Sequence, residues 1–208
     1  AIMAAAPKLQ CGIFDLPEVI AEAARGLSTE RIELHSGSFK DSALPEGYDL
    51  ITLVRILHDH DEPVATALLS KIHAALPDGG RLLIVEPMAQ SGHAQRMGDA
   101  YFGLYLWAMG SGRPRSATEI TTMLQHAGFK AVRAFSTALP LITSALVATN
   151  NTQLSKLFDI QECCDNLTSD RVSIPVCWGE RPRRMEQFWR LRPSFLPHRA
   201  VWKCAKLR

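Results

Sequence analysis

Histidine and carboxylate side chains occur at three points of this sequence where a run of apolar residues ends. They are Asp15 after residues 11–14, the cluster His58-Asp59-His60-Asp61 after residues 48–57, and Glu86 after residues 81–85. A neutral imidazole accepts a proton near physiological pH, and a carboxylate beside it fixes its tautomer. A buried carboxylate without a partner is costly, so we expect Glu86 to have one, and His58 is the natural choice. The pattern indicates general acid–base chemistry.

Two strand ends carry residues suited to a nucleotide-like ligand. Asp15 could accept two hydrogen bonds from a ribose diol, or it could be the N-cap of a helix that starts at Pro17, and the motif does not decide between these roles. In Gly37-Ser38-Phe39 the glycine permits close approach of a ligand, and Phe39 could lie against an adenine ring. A turn followed by a phenylalanine of the core explains the same residues.

The histidine cluster is not expected to bind a metal ion. Adjacent residues at the end of a strand point in different directions, and no His-x-x-x-His pair follows. The cysteines do not supply a site either, because Cys163, Cys164 and Cys177 lack the C-x-x-C spacing of a zinc knuckle.

Strands and helices are predicted to alternate through the first 149 residues. The predicted strands cover residues 11–15, 31–35, 48–57, 81–86, 130–136 and 141–149, and the predicted helices cover residues 17–25, 62–76, 94–109 and 117–126. Asp61 is expected to cap the second helix. Because the last two strands are joined too closely for a helical crossover, they must pair antiparallel. The fold class is therefore α/β, a mostly parallel Rossmann-like sheet covered on both faces, with an antiparallel strand at or near one edge.

In such sheets ligands bind beyond the carboxyl ends of the strands, which is where the candidate residues lie. The antiparallel ending is typical of class I methyltransferases that use S-adenosylmethionine. A nicotinamide dehydrogenase would continue with parallel units and begin with G-x-G-x-x-G, so it is a distant alternative.

Composition excludes several classes of protein. The chain has 208 residues, a formal net charge of +2, 47% hydrophobic residues and 21% charged residues. These values fit a globular domain and argue against a dedicated polyanion binder, a disordered chain and a coiled coil. The apolar stretch 139–147 is far shorter than the roughly 20 residues of a membrane span. Irregularly spaced cysteines and the lack of a secretion signal predict a cytoplasmic protein.

The composition changes near residue 150, which divides the chain into two predicted parts. Residues 150–208 contain 11 Lys+Arg and 6 Asp+Glu, whereas residues 1–149 contain 12 and 15. The second part holds Trp178, Trp189 and Trp202 but shows no sustained periodicity, so we expect an irregular, poorly ordered tail. It could be a disordered extension, a basic and aromatic surface for nucleic acid or membrane, or a chain end made by a shifted reading frame. The first and third are favoured, and nucleic-acid binding is not expected.

Four motifs, in this order and spacing, resemble the plant-type and bacterial small-molecule O-methyltransferases. They are Phe14-Asp15-Leu16-Pro17, Leu57-His58-Asp59-His60-Asp61, Leu76-Pro77-Asp78-Gly79-Gly80 and Ile84-Val85-Glu86-Pro87. Segments 98–103, 110–116 and 127–129 are similar to the carotenoid branch of that family, which acts on hydroxylated carotenoids of the demethylspheroidene type. The resemblance covers residues 1 to about 149 and none of the tail.

The resemblance implies roles for individual residues. His58 would be the general base that takes the proton of the acceptor hydroxyl, and Glu86 would orient its imidazole. Asp15 would hold the ribose of S-adenosylmethionine. Ser38 and Phe39 stand where many relatives have Asp-Met near the ribose and adenine, which puts that contact in doubt. No metal is required.

The resemblance also places a substrate pocket. Plant relatives carry a second catalytic carboxylate where this chain has Pro114, so Glu86 would act alone. Met88, Tyr101 and Tyr105 would border the acceptor, although core packing explains most of the large residues of the helix over 94–109. Those large residues are Met97, Tyr101, Phe102, Tyr105, Trp107 and Met109. Arg113 and Arg115 are expected to be surface charges.

The function that the resemblance implies is methyl transfer from S-adenosylmethionine to a hydroxyl of a carotenoid. A bacteriochlorophyll precursor or a small phenol remains an alternative acceptor. A catalytically silent remnant or interaction module is an alternative from another class.

The family normally begins its cofactor domain with a central strand and a glycine-rich loop, preceded by a helical domain that forms a homodimer. This chain resembles a piece that starts after all of these. We therefore expect the central strand to be absent, its two neighbours to be unpaired, and S-adenosylmethionine to bind weakly or not at all. A lipophilic acceptor is also compatible with peripheral contact with a membrane.

Overall fold

The computed structural model describes residues 8–27, 30–90, 95–135, 137, 143–151 and 171–175, without the side chains of 95–98 and 171–175. The strands are β1 (Gln10–Asp15), β2 (Ile32–Ser36), β3 (Leu50–Val54), β4 (Arg81–Glu86), β5 (Ala131–Phe135), β6 (Ser144–Thr149) and β7 (Arg171–Pro175). The helices are α1 (Pro17–Gly26), α2 (Glu62–Ala75), α3 (Gln95–Met109) and α4 (Ala117–His126), and a short 3-10 turn covers Leu57–Asp59. No helix within these ranges is both long enough and apolar enough to cross a membrane.

The strands form one sheet in the order β2-β1-β7-β3-β4-β6-β5. The first five strands of that order are parallel to one another, whereas β6 runs antiparallel to both β4 and β5. The predicted α/β fold class and the antiparallel pairing of the last two strands of the first part are confirmed. The carboxyl ends of β1, β3 and β4 therefore lie at the same edge of the sheet.

The centre of the sheet differs from the expectation. β7, from the predicted tail, lies between β1 and β3, so the prediction that these two strands lack a neighbour is wrong. Ser173 pairs with Gly12 of β1 on one side and with Ile51 of β3 on the other. The tail thus contributes one regular element. Its tryptophans and cysteines lie outside the described residues, and the division at residue 150 stays a prediction.

Alternating apolar residues give the sheet a buried layer on each face. On one face Leu9, Cys11 and Ile13 pack with Ile20 of α1 and with Leu27, which follows that helix. On the other face lies the main core, to which α2 contributes a helical stripe of buried residues, and α4 adds Ile120, Met123 and Leu124. That stripe is Ala65, Leu68, Leu69 and Ile72. This core holds β3 and β4 rigidly, which fixes the positions of the turns that follow them.

The predicted strand over 48–57 is shorter than expected. β3 ends at Val54, because Arg55 has a φ of +58° and turns the chain out of the extended conformation. The 3-10 turn Leu57–Asp59 follows at once. His58 therefore lies on a tight turn beyond the strand end.

Candidate active site at the strand ends

Three predicted site residues lie at one edge of the sheet. Asp15 ends β1, Glu86 ends β4, and His58 lies in the turn that follows β3. Asp15 and Glu86 are 0% exposed and His58 is 2% exposed. Because β3 and β4 are neighbours, His58 and Glu86 are brought together, whereas Asp15 lies two strand spacings from β3, about 10 Å away.

Glu86 contacts the main chain of His58. Its Oε2 accepts a hydrogen bond of 3.3 Å from the His58 N–H. Burial raises the pKa of the Glu86 carboxyl, and the neighbouring His58 lowers it by a smaller amount. Within the described residues no ion pair joins Glu86 to the imidazole, so the geometry differs from the orienting contact that the resemblance implies. Glu86 holds the backbone of the residue instead of its ring.

Asp59 is the carboxylate that faces the imidazole. His58 Nε2 lies 3.0 Å from Asp59 Oδ1, an ion-pair distance, although the contact is not aligned as a hydrogen bond. His58 Nδ1 is buried and has no hydrogen-bond partner in the part of the chain that the structure describes. One ring nitrogen therefore faces a carboxylate, and the other is available to accept a proton.

Buried polar atoms without a partner are concentrated around this turn. Among the described residues, His58 Nδ1, His60 Nε2, Glu86 Oε1 and Arg115 Nε have none. Folded proteins satisfy most buried polar groups, so such a cluster marks a place where a polar ligand or water would bond. Burial also lowers the pKa of His60, which favours its neutral form.

Arg115 is a buried residue beside this turn that the sequence does not indicate. The prediction that it is a surface charge is wrong, because its side chain is 0% exposed. Its Nη1 donates to the Leu57 carbonyl at 2.6 Å and its Nη2 to the His60 carbonyl at 2.9 Å. Burial lowers the pKa of this guanidinium. Nothing in the sequence Arg113-Pro114-Arg115 indicates that the first arginine is exposed and the second is buried.

Arg113 is a surface charge, as predicted. Its guanidinium is 48% exposed and pairs with Glu119 at 2.7 Å and with Glu62 at 3.2 Å. The hydrogen bond that Arg113 donates to the Glu119 carboxylate is the main cause that raises the pKa of Arg113. Through these two ion pairs Arg113 connects Glu62 in the first turn of α2 to Glu119 in the first turn of α4.

Asp15 is not the N-cap of α1. Leu16 occupies that position, and Asp15 Oδ1 accepts a hydrogen bond of 2.8 Å from the Leu16 N–H. Asp61 does occupy the N-cap position of α2, but its side chain makes no capping hydrogen bond. Neither carboxylate therefore caps a helix through its side chain.

Ser38 and Phe39 lie in the turn after β2. Ser38 Oγ accepts a hydrogen bond of 3.2 Å from the Lys40 N–H. Phe39 is 5% exposed, belongs to the main core and meets the His60 ring edge-on at 5.1 Å between centroids. Lys71 holds this turn through the carbonyl of Phe39, at 2.7 Å. The turn with a core phenylalanine is therefore present, and a role toward adenine stays a prediction.

The residues predicted to border the acceptor are divided between core and surface. Met88 is buried in the main core. Tyr101 is 65% exposed and Tyr105 is 36% exposed, beside Trp107 at 79%. The expectation that core packing explains most of the large residues of α3 is wrong for its described side chains, since Phe102 is the buried one of those named. The side chain of Met97 lies outside the described residues.

No set of three or more His, Cys, Asp and Glu side chains within the described ranges is arranged to hold a metal ion.

Comparisons with known proteins match the part of the chain that contains these residues. A family model described as an O-methyltransferase domain covers residues 1–130. The demethylspheroidene O-methyltransferase of Rhodobacter capsulatus is 47% identical over 142 residues, which are 68% of this chain and 36% of that protein. The demethylspheroidene O-methyltransferase of Cereibacter sphaeroides is 40% identical over 153 residues, 71% of this chain and 40% of that protein.

Solved structures of methyltransferases also superimpose on this chain. Human N-acetylserotonin methyltransferase in complex with SAM superimposes with a TM-score of 0.65 and 28% identity, over 72% of this chain and 43% of that chain. An O-methyltransferase family 2 protein from Planctomyces limnophilus in complex with apigenin has a TM-score of 0.63 and 30% identity, over 72% and 46%. The chain thus spans less than half the length of these relatives.

Proposed function

This chain belongs to the O-methyltransferase domain family, and from that premise we propose that it transfers a methyl group from S-adenosylmethionine to a hydroxyl of a carotenoid. The observation that carries the proposal is the buried His58, which has one ring nitrogen without a partner in the described part of the chain. Two relatives named demethylspheroidene O-methyltransferase support the carotenoid acceptor.

His58 is proposed as the general base. An aliphatic hydroxyl is too weak an acid to ionise in advance, so His58 Nδ1 would remove its proton while the oxygen takes the methyl group and the sulfonium sulfur keeps the electron pair of the broken methyl–sulfur bond. Asp59, 3.0 Å from Nε2, stabilises the imidazolium that forms. Because His58 is buried, water is kept away from the reacting groups. Holding the reactants in line supplies much of the acceleration.

Asp15, Ser38 and Phe39 are proposed to hold the cofactor. When bound, S-adenosylmethionine supplies an electrophilic methyl group. The buried Asp15 carboxylate at the end of β1 has the chemistry to accept hydrogen bonds from a ribose diol. Phe39 is 5% exposed and belongs to the main core, so only a small part of its surface could contact adenine.

Met88, Tyr101 and Tyr105 are proposed to border the acceptor, a small lipophilic molecule with a hydroxyl group. The exposed aromatic rings of α3 are suited to a polyene. We also propose that the protein is cytoplasmic, makes peripheral contact with a membrane that holds its acceptor, and forms a homodimer in its full-length form.

The proposal is tested by methyl transfer under single-turnover conditions. The chain, in excess over acceptor, is incubated with a millimolar concentration of S-adenosylmethionine labelled in the methyl group and with demethylspheroidene. A labelled methyl ether is expected, and His58→Gln should reduce its formation by about 100-fold or more if general-base catalysis is lost. Equal product from the wild type and His58→Gln would overturn the role of His58.

A domain exchange separates the residues from the length of the chain. Residues 8–149 replace the matching segment of the Rhodobacter capsulatus relative, which is 47% identical to this chain over 142 residues. The exchanged protein should methylate demethylspheroidene, and His58→Gln should abolish the reaction without preventing cofactor binding. A folded exchanged protein that binds cofactor but makes no product with demethylspheroidene, a bacteriochlorophyll precursor or a phenol would favour a silent interaction module.

A further inference from the structure

We propose that Arg115 is a positioning residue for His58: its guanidinium holds the turn that carries the imidazole and so fixes the direction in which the ring points. This inference rests on the proposed role of His58. Among the described residues the hydrogen bonds of Arg115 go to main-chain carbonyls and none goes to the imidazole, so its effect passes through the backbone of residues 57–60.

The two carbonyls that Arg115 binds lie on either side of His58. Nη1 binds Leu57, the residue before it, and Nη2 binds His60, two residues after it. The planar guanidinium presents its donors in a fixed fork, so it sets the distance between the two carbonyls. The conformation of the turn between them then determines where the His58 side chain is directed.

Arg115 belongs to a segment that holds the same turn at other points. We call residues 110–116 the clamp loop. Ser111 Oγ donates to the Asp59 carbonyl at 2.9 Å, and the Gly112 N–H donates to Asp61 Oδ1 at 2.9 Å. Asp61 thus binds the clamp loop instead of capping α2. The clamp loop thus donates hydrogen bonds to the carbonyls of Leu57, Asp59 and His60 in the turn.

The clamp loop is itself anchored at its end. The Ala89 N–H donates to the Arg115 carbonyl at 2.9 Å, which ties the loop to the chain after β4. Ser116 and Glu119 form a reciprocal capping box that fixes the start of α4. Arg115 therefore connects the turn after β3, with His58, to the segment that follows Glu86 on β4.

A buried guanidinium is a costly way to stabilise a fold. Replacing a buried charged group by an apolar residue of similar volume is often neutral or stabilising. Arg115 is fully buried, yet among the described residues its Nε has no partner, so its hydrogen bonds do not satisfy all its donors. The two hydrogen bonds to the carbonyls of the turn explain why a charged residue is buried here better than a contribution to stability does.

The test compares Arg115→Met with Arg25→Met. Arg25 is a matched control, because its side chain is 75% exposed and pairs with Glu22. The first readout is the ring nitrogen NMR spectrum of ¹⁵N-histidine-labelled chain, which needs no catalysis and no cofactor. Arg115→Met should change the chemical shifts and tautomer of His58 and leave those of the distant His126 unchanged. Arg25→Met should change neither.

The second readout is methyl transfer in the domain-exchanged protein. Arg115→Met should reduce kcat by about 10- to 100-fold while KM for the acceptor changes by about twofold or less, because misdirecting the base by about 1 Å costs that much. Arg115→Lys should recover only part of the loss, since an ammonium lacks the planar fork. Guanidinium ion should raise kcat of Arg115→Ala but not of His58→Gln.

Unchanged His58 resonances in a folded Arg115→Met chain would overturn the proposal. If Arg115→Met does not fold, Arg115→Lys is read in the same way, and wild-type His58 resonances in it would also overturn the proposal. A shifted His58 spectrum together with an inactive wild-type enzyme would support the positioning role and contradict the proposed function instead.

Discussion

At the scale of the residue, the site contains a completely buried carboxylate, that of Glu86. Glu86 is 0% exposed, one of its oxygens accepts from the backbone of His58, and the other has no partner among the described residues. Burial raises the pKa of its carboxyl above the ordinary value of 4.5. The folded chain therefore holds a proton on Glu86 at pH values where the unfolded chain has lost it.

The raised pKa of Glu86 predicts the direction in which the stability of Glu86→Gln, relative to the wild type, changes with pH. In the wild type the contribution of Glu86 to the free energy of unfolding falls as the pH rises from 4.5 through the folded pKa. Glutamine does not ionise, so the variant lacks this fall, and its stability relative to the wild type should increase from pH 4.5 to neutral pH. Urea unfolding at several pH values measures the difference. A difference that stays constant, or decreases with pH, would contradict a raised pKa.

The sequence predicts some residues of the site and not others. Asp15, His58 and Glu86 can be found because polar residues at the end of apolar strands are unusual. The position of Asp59 at the imidazole depends on the positive φ of Arg55, which residue types do not indicate. The burial of Arg115 depends on carbonyls far away in the sequence, so no local pattern could identify it.

At the scale of the element, two glycines of the clamp loop offer a matched pair. Gly110 has a φ of +84° and open space around it, whereas Gly112 has a φ of +78° and lies against the turn. A Cβ on Gly112 would overlap the main-chain oxygen of His58. Both positions therefore favour glycine because of their positive φ, and Gly112 also requires it because of the close contact with His58.

The pair separates conformational strain from steric overlap. Gly110→Ala should destabilise the chain by about 1–2 kcal/mol, the cost of a left-handed conformation. Gly112→Ala should cost about 2–5 kcal/mol, because overpacking adds to that strain. It should also shift the His58 ring resonances, which Gly110→Ala leaves unchanged. Equal urea midpoints for the two variants would show that the loop does not press on the turn.

Most element boundaries follow from the sequence. The bounds of β4 and α4 agree with the prediction, because apolar runs, the Gly79-Gly80 stop and the Ser116 cap are strong local signals. The predicted end of β3 is three residues beyond the observed one, Val54, since residues 55–57 include apolar side chains that continue the strand pattern. Ile56 and Leu57 are buried by the turn whereas Arg55 is exposed, and periodicity does not distinguish such a turn from a strand.

At the scale of the whole molecule, β7 joins two parts of the sheet. Within the described residues, β2 and β1 are hydrogen-bonded to β3, β4, β6 and β5 only through β7. Its five residues could not be predicted as a central strand, because a short segment within a charged tail gives no periodic signal and its partners are distant in the sequence. Topology here depends on long-range pairing.

Ser173→Pro tests whether this strand holds the sheet together. Ser173 pairs with Gly12 and with Ile51, so proline removes a ladder donor in the middle of the sheet and should destabilise the chain by about 3 kcal/mol or more. Ser173→Ala keeps the N–H and is the control. Amide hydrogen exchange of β1 and β3 should quicken in the proline variant only. Unchanged protection in Ser173→Pro would place β7 outside the sheet.

The central place of β7 has a consequence for biosynthesis. A ribosome that makes the chain releases β1 and β3 long before Arg171–Pro175 emerges, so nascent chains must wait with two strand edges uncovered. During that interval the exposed edges are open to intermolecular pairing and to chaperone capture. Refolding should for the same reason be slow, since closing so long a loop precedes any gain from the pairing.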